Sequence, residues 1–252
     1  MRLLTSAKGL PNLKTLELEG WDEADLRALA ITLTSFAQPP FALRLFGHDS
    51  ADLECLAALN LSELDLTLLG ETAVGWDALA AAKYPITLTG GDYFTEMATA
   101  VLKLKSLTKL SLRDVPTEAI TLAIESHPSL IEFSSYYSPT TDMLTQIFGN
   151  PRLQRLEIPT LNFSEEQELL SLSTHPSLTR LKVYLDDLSK ITAISRNANV
   201  TTLDIHITTA CVPGIRPLAE MQSLRSRLIL SVTFVLVKRR ELLQAQPLRR
   251  LL

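Results

Sequence analysis

A chain of 252 residues, 46% hydrophobic and 21% charged with nine glycines, has the composition of an ordered globular protein and excludes disordered or collagen-like classes. Its formal net charge of −4 offers no general attraction to nucleic acid, so no nucleic-acid partner is expected. No stretch approaches the roughly 18 consecutive apolar residues that a membrane span requires, and the two cysteines, Cys55 and Cys211, are too few for a disulfide framework.

The N-terminus, MRLLTSAKGLPN, lacks the apolar core and cleavage site of a secretory signal. Residues 1–12 read as an N-terminal cap. From Leu10 the chain falls into copies of an LxxLxL core: LPNLKTLEL, then LNLSELDL, LKSLTKLSL, NPRLQRLEI, HPSLTRLKVYL and NANVTTLDI. Aligning their last-but-one apolar positions gives ten anchors: Leu16, Leu43, Leu64, Ile86, Leu110, Phe133, Leu156, Leu181, Leu203 and Leu228. The steps between them run from about 21 to about 27 residues, a period that marks stacked repeats. Apolar residues two apart line one face of a strand, so each core predicts a short strand with one buried side.

Between the strands the spacing turns helical. Leu26, Leu29, Ala30 and Leu33 form one apolar face; Leu53, Leu56 and Ala57 a second; Ile120, Ala123 and Ile124 a third; Ile191 and Ile194 another. Asp22, Ser50, Thr117, Thr141 and Ser164 stand where helix N-caps belong, and Ser164 with Gln167 has capping-box spacing. His127-Pro128, Asn150-Pro151 and His175-Pro176 follow helical runs, since proline disfavours helix in the residue before it. The recurrence of His127, Asn150 and His175 predicts turn or capping work, not metal binding.

Leu228 to Val237 reads as a buried strand near the end of the array, and residues 236–252, with KRRELLQAQPLRRLL, as a C-terminal capping helix. Cys55, inside LECLAAL, reads as packing. Cys211 in TTACVPG has His206 upstream, yet no accompanying motif makes it a nucleophile. Glu165, Glu166 and Glu168 read as a solvated first helical turn, and Gly90-Gly91 as a turn.

With strands alternating with helices in one direction, the fold class is α/β: a single curved solenoid domain over residues 1–252, a parallel sheet on its concave face and helices on its convex face. These repeats resemble leucine-rich-repeat proteins of the ribonuclease-inhibitor-like type. HPSLTRLKV and NANVTTLDI are also similar to repeats of bacterial leucine-rich-repeat effectors delivered into host cells, including GALA-type proteins. The chain departs from that family where an asparagine usually follows the strand; Trp21, Leu69, Val115, Leu161 and Asp186 stand there instead. Other contacts must then satisfy the backbone at the bend.

The resemblance implies a non-enzymatic recognition module that binds a partner protein on its concave face, with no cofactor and no metal. The two separate cysteines and the lack of a signal-like segment point to a reducing, cytoplasmic location, or to delivery into a host cell without a signal peptide. The alternative is the substrate-recognition part of a ubiquitin-ligase type effector. On the strand surface, repeats five to nine collect Lys109, Arg113, Arg155, Arg180 and Lys182 beside Tyr136, Tyr137, Tyr184 and His206, whereas the first three repeats are weighted toward acid. Tyrosine and arginine combine large contact area with directional polar groups, which makes this the expected partner-binding patch.

Overall fold

The computed structural model describes residues 13–20, 23–34, 40–47, 51–69, 73–90, 97–161, 166–185, 187–208, 215–224 and 227–233. The first half of the chain runs β1 (Thr15–Glu19), α1 (Glu23–Thr34), β2 (Phe41–Gly47), β3 (Ala51–Asp52), a 3₁₀ turn (Glu54–Ala58), β4 (Leu61–Leu68), β5 (Ala73–Val74), α2 (Trp76–Ala80), β6 (Ile86–Gly90) and α3 (Met97–Lys103). It continues with β7 (Leu107–Leu112), α4 (Glu118–Glu125), β8 (Glu132–Ser135), α5 (Thr141–Gly149) and β9 (Arg155–Thr160). The last part is α6 (Glu166–Thr174), β10 (Arg180–Leu185), α7 (Leu188–Arg196), β11 (Thr202–Thr208), α8 (Arg216–Ala219) and β12 (Arg227–Thr233).

Ten strands form one parallel sheet in the order β1-β2-β4-β6-β7-β8-β9-β10-β11-β12, which is sequence order. The short β3 and β5 pair separately. Each strand therefore meets only its neighbours in the chain, and the helices follow suit: α4 packs on α5, α5 on α6 and α6 on α7. The result is an α/β architecture that grows in one direction. Leu43, Leu64, Ile86, Leu110, Phe133, Leu156, Leu181 and Leu203 are all buried in one continuous core, each worth about 1.5–3 kcal/mol of burial. Outward residues alternate with them.

Eight of the ten anchors, all but Ile86 and Leu110, sit opposite the expected partners on both neighbouring strands or on the single neighbour they have. Between β6 and β7 the register shifts, so that Leu88, not Ile86, lies opposite Leu110. Thr87 consequently stands beside Lys109 and Thr89 beside Ser111. The outward row that begins Glu17, Arg44, Asp65 and Thr87 thus runs on into Lys109, Glu132, Arg155, Arg180 and Thr202. The sequence alignment places these in two different rows.

Helix faces form as the spacing predicts in α1, α4 and α7, with Leu26, Leu29, Ile120, Ile124, Ile191 and Ile194 buried. The stretch holding Leu53, Leu56 and Ala57 forms a single 3₁₀ turn, because five residues between Leu53 and Leu59 suffice for one tight turn only; Ala57 is exposed. Gly75, at φ +88°, packs so closely that a Cβ there would meet the Glu54 amide nitrogen at 2.6 Å. Thr117 caps α4, its hydroxyl accepting from the Ile120 amide at 3.4 Å. Thr140, not Thr141, caps α5, accepting from the Met143 amide. Asp22, Ser50, Ser164, Cys211, Glu165, Gly91, residues 1–12 and residues 236–252 lie outside the described residues. The C-terminal strand forms, but as the sheet's last strand β12 leaves Leu228 and Leu230 exposed and not buried.

Four residues at one place in successive repeats, His127, Asn150, His175 and Asn197, are buried and tie each turn to the one before. His175 Nε2 lies 3.1 Å from the Asn150 carbonyl, while its Nδ1 accepts from the amides of Ser177 and Leu178 at 3.4 and 3.1 Å. His127 repeats this with the Leu104 carbonyl at 3.1 Å and the amides of Ser129 and Leu130 at 3.3 and 3.0 Å. Asn150 donates from Nδ2 to the Ile124 carbonyl at 2.8 Å and accepts at Oδ1 from the Arg152 amide at 2.9 Å. Asn197 does the same with the Leu172 carbonyl at 2.7 Å and the Asn199 amide at 2.9 Å. Turn work at His127, Asn150 and His175 is therefore what the recurrence foretold; Asn197 is a fourth member.

Two amide donors on Nδ1 place the ring hydrogen on Nε2, so each imidazole is neutral and donates to the preceding repeat. Burial pushes both groups below the usual histidine range, with the carbonyl acceptors opposing it and, at His127, Lys105 adding to it. The unfolded chain then binds more protons than the folded one at mildly acid pH. This stabilisation is complete above about pH 6.5 and is lost as pH falls from there toward the depressed folded values. Urea midpoints are expected to drop between pH 7.5 and pH 5.5, and the drop to shrink in a variant carrying both His127→Asn and His175→Asn.

Candidate functional site

The surface that faces away from the helices is built from two kinds of outward residue: a row of charges near the strand starts and a set of aromatic and polar groups at the strand ends. Lys109 Nζ lies 2.7 Å and Arg155 Nη1 3.1 Å from the two oxygens of Glu132, which is shared between them. Burial alone would raise the Glu132 carboxyl, yet its hydrogen bonds and charge attraction to Lys109 and Arg155 outweigh this and hold it below the usual carboxylate range. Lys182 is hydrogen-bonded to Glu157 on the next strand. At the other end of the sheet Arg44 lies 3.8 Å from Glu17, and Asp65 is raised, chiefly by burial, with Glu63 and Glu17 adding and Arg44 and Lys109 opposing.

These pairings change the expected patch. Lys109 and Arg155 share the single charge of Glu132, and Lys182 is paired with Glu157, residues that the anchor alignment already sets opposite one another. Arg180 has no carboxylate within ion-pair distance among the described residues, although it is exposed. Arg113 follows β7, its amide bound to the Gly90 carbonyl at 3.0 Å, and Asp114 stands beside it.

At the strand ends Tyr136, Lys182, Tyr184 and His206 come together around an open depression of about 490 Å³. Its other walls are Ser135, Glu157, Ile158, Pro159, Thr160 and Val183. Pro159 explains its position. Lacking an amide hydrogen, proline cannot join the ladder, and the register shifts so that Tyr184 pairs with Thr160 and not, as the alignment has it, with Pro159. The depression lies beside this bulge and runs from the end of β8 to β11.

Tyr136 is 74% and Tyr137 48% exposed, the two rings meeting edge to face at 5.4 Å. The turn that carries them is held by Ser135 Oγ, which donates to the Tyr137 carbonyl at 2.7 Å, and by the Tyr136 amide, which donates to the Leu112 carbonyl at 2.9 Å. His206 Nε2 lies 3.9 Å from Asp204 Oδ1, an atom buried without a hydrogen-bond partner among the described residues. Of the sequence-predicted residues, then, four line the depression, Tyr137 flanks it, Lys109, Arg155 and Arg180 lie in the charged row, and Arg113 stands apart at the end of β7. Ser135, Ile158, Pro159, Thr160 and Val183 were not singled out by sequence; a proline inside the NPRLQRLEIPT core was the available signal.

Cys55 is partly buried against the core, with Sγ 3.7 Å from the Asp52 carbonyl. Among the described residues no group of three or more His, Cys, Asp or Glu is placed to hold a metal ion, and no helix is long and apolar enough to cross a membrane. No protein-family model matches the chain, and no curated protein or solved structure matches it at a significant level.

Proposed function

We propose that the chain is a leucine-rich-repeat solenoid of horseshoe form that recognises a partner protein on the strand surface of β8–β11. The observation that carries this reading is the depression at Tyr136, Tyr184 and His206, where the exposed Tyr136 ring and the half-buried Tyr184 and His206 rings stand on the outward side of a surface held by ladder hydrogen bonds. Exposed rings on a pre-ordered sheet lose little entropy when a partner covers them. The LxxLxL period, ten parallel strands in chain order and the buried His–Asn series support the repeat reading.

The test is affinity capture from host-cell lysate, comparing the wild-type chain with a Tyr136→Ala/Tyr184→Ala variant. Both side chains lie on the surface, so the variant is expected to keep its circular dichroism spectrum and its stability to within about 0.5 kcal/mol. It should lose the captured protein by about tenfold or more, the loss typical of anchor residues. Undiminished capture by the variant contradicts the assignment.

A further inference from the structure

We propose that the partner segment taken by this surface is acidic and extended, placing a carboxylate on Arg180 and an apolar or aromatic side chain in the depression beside Tyr184. The inference rests on the recognition reading above and specifies its chemistry.

Along the charged row, sign alternates from strand to strand: Glu17, Arg44, Asp65, then Thr87, then Lys109, Glu132 and Arg155. The alternation breaks at one step, where Arg155 lies opposite Arg180. Like charges opposite one another on neighbouring strands are destabilising, and Glu132 offsets the Arg155 side of this pair only. Arg155 shares Glu132 with Lys109, Lys182 is engaged by Glu157, and the neighbour of Arg180 on its other side is Thr202. A carboxylate from outside completes the series, and the planar guanidinium is suited to take it through two parallel hydrogen bonds.

The apolar half of the site sets the partner's second requirement. From Arg180 to Tyr184 the strand advances four residues, about 13 Å, a distance that about four residues of an extended partner also cover. An acidic residue and an apolar one at that separation reach both places at once. The opposite end of the surface rejects such a segment, since Glu17, Glu19, Glu63 and Asp65 outnumber Arg44 there. Charge thereby selects both the partner and the half of the sheet it occupies.

The experiment uses the full chain in anisotropy titrations with four labelled polymers: a random glutamate–tyrosine copolymer, polyglutamate, a lysine–tyrosine copolymer and heparin. The glutamate–tyrosine copolymer is expected to bind best, with polyglutamate at least about tenfold weaker. Arg180→Glu and Tyr184→Ala should each weaken the copolymer by about tenfold or more, and Arg180→Gln by a smaller factor in the same direction. Failure of the wild-type chain to bind the copolymer overturns the proposal, as does equal binding of the lysine–tyrosine polymer or indifference to Arg180→Glu. Heparin binding as tight as the copolymer's, and equally sensitive to both substitutions, also overturns it and marks a general polyanion surface. Copolymer failure with lysate capture still dependent on Tyr136 and Tyr184 removes only the acidic-segment proposal; failure of both removes the recognition reading as well.

Discussion

Replacing Phe133 by alanine is expected to lower the stability of the chain by about 3–5 kcal/mol. Phe133 is the largest fully buried side chain among the described residues, and it stands in the middle of the sheet, between Leu110 of β7 and Leu156 of β9. Its ring fills the anchor position that leucine or isoleucine holds in the other repeats, so its neighbours are already spaced for a larger side chain. Truncation leaves a cavity that collapses only by moving β8, whose four residues are hydrogen-bonded between two strands. The urea midpoint of the variant reads the effect directly. In a one-dimensional stack a weakened central unit also lowers cooperativity, so the transition should broaden as well as move. A shift of less than about 1 kcal/mol would show that the repeats do not share one interior.

His175→Ala is expected to cost about 3–4 kcal/mol, more than the loss of an ordinary surface polar group. Removing the ring strands the amides of Ser177 and Leu178 without their acceptor and leaves the Asn150 carbonyl with the Leu153 amide alone, all around a position only 2% exposed. Each buried group left unpaired costs on the order of 1–3 kcal/mol, with partial relief where water enters. The ring also meets Phe148 edge to face at 5.8 Å, a contact that goes with it. His175→Asn should recover a good part of the loss, because Asn150 and Asn197 do the same work in the adjoining repeats. Denaturation of the two variants side by side separates this account from simple cavity formation, which would penalise asparagine as heavily as alanine.

The repeat period and the alternation of strand and helix are legible in the sequence because LxxLxL cores state both the spacing of the repeats and the face each strand buries. The register between β6 and β7 is not. Ile86 and Leu88 are both apolar and two residues apart, so a slip of two keeps every side chain on its own face, and burial offers no means of rejecting it. That slip joins Asp65 to Lys109 across Thr87 and creates the continuous charged row. The ion pairs of Glu132 and Glu157 join residues at equal offsets from neighbouring anchors, so the anchor alignment already sets those partners opposite one another. The aromatic half of the site was easier to see. Tyr136, Tyr184 and His206 fall just after or near the ends of their strands in any alignment, while the pairing of Tyr184 with Thr160 beside the depression is visible only in the register. Turn work by His127 and His175 was visible from the repeated HPSL; the hydrogen bonds that pass from one repeat to the next were not, since they join residues more than twenty positions apart.

Hydroxyl-radical footprinting of the chain, free and bound to its captured partner, addresses the recognition claim most directly because it reads the exposure of individual side chains. Tyr136 and Tyr137 are accessible in the free protein, as are Leu102, Leu122 and Leu170 on the helices. On binding, Tyr136, Tyr137 and Tyr184 are expected to become protected while the three leucines react as before. Protection of Leu102, Leu122 and Leu170 with the tyrosines unchanged would contradict the account, since the partner would then sit on the helices and not on the strands.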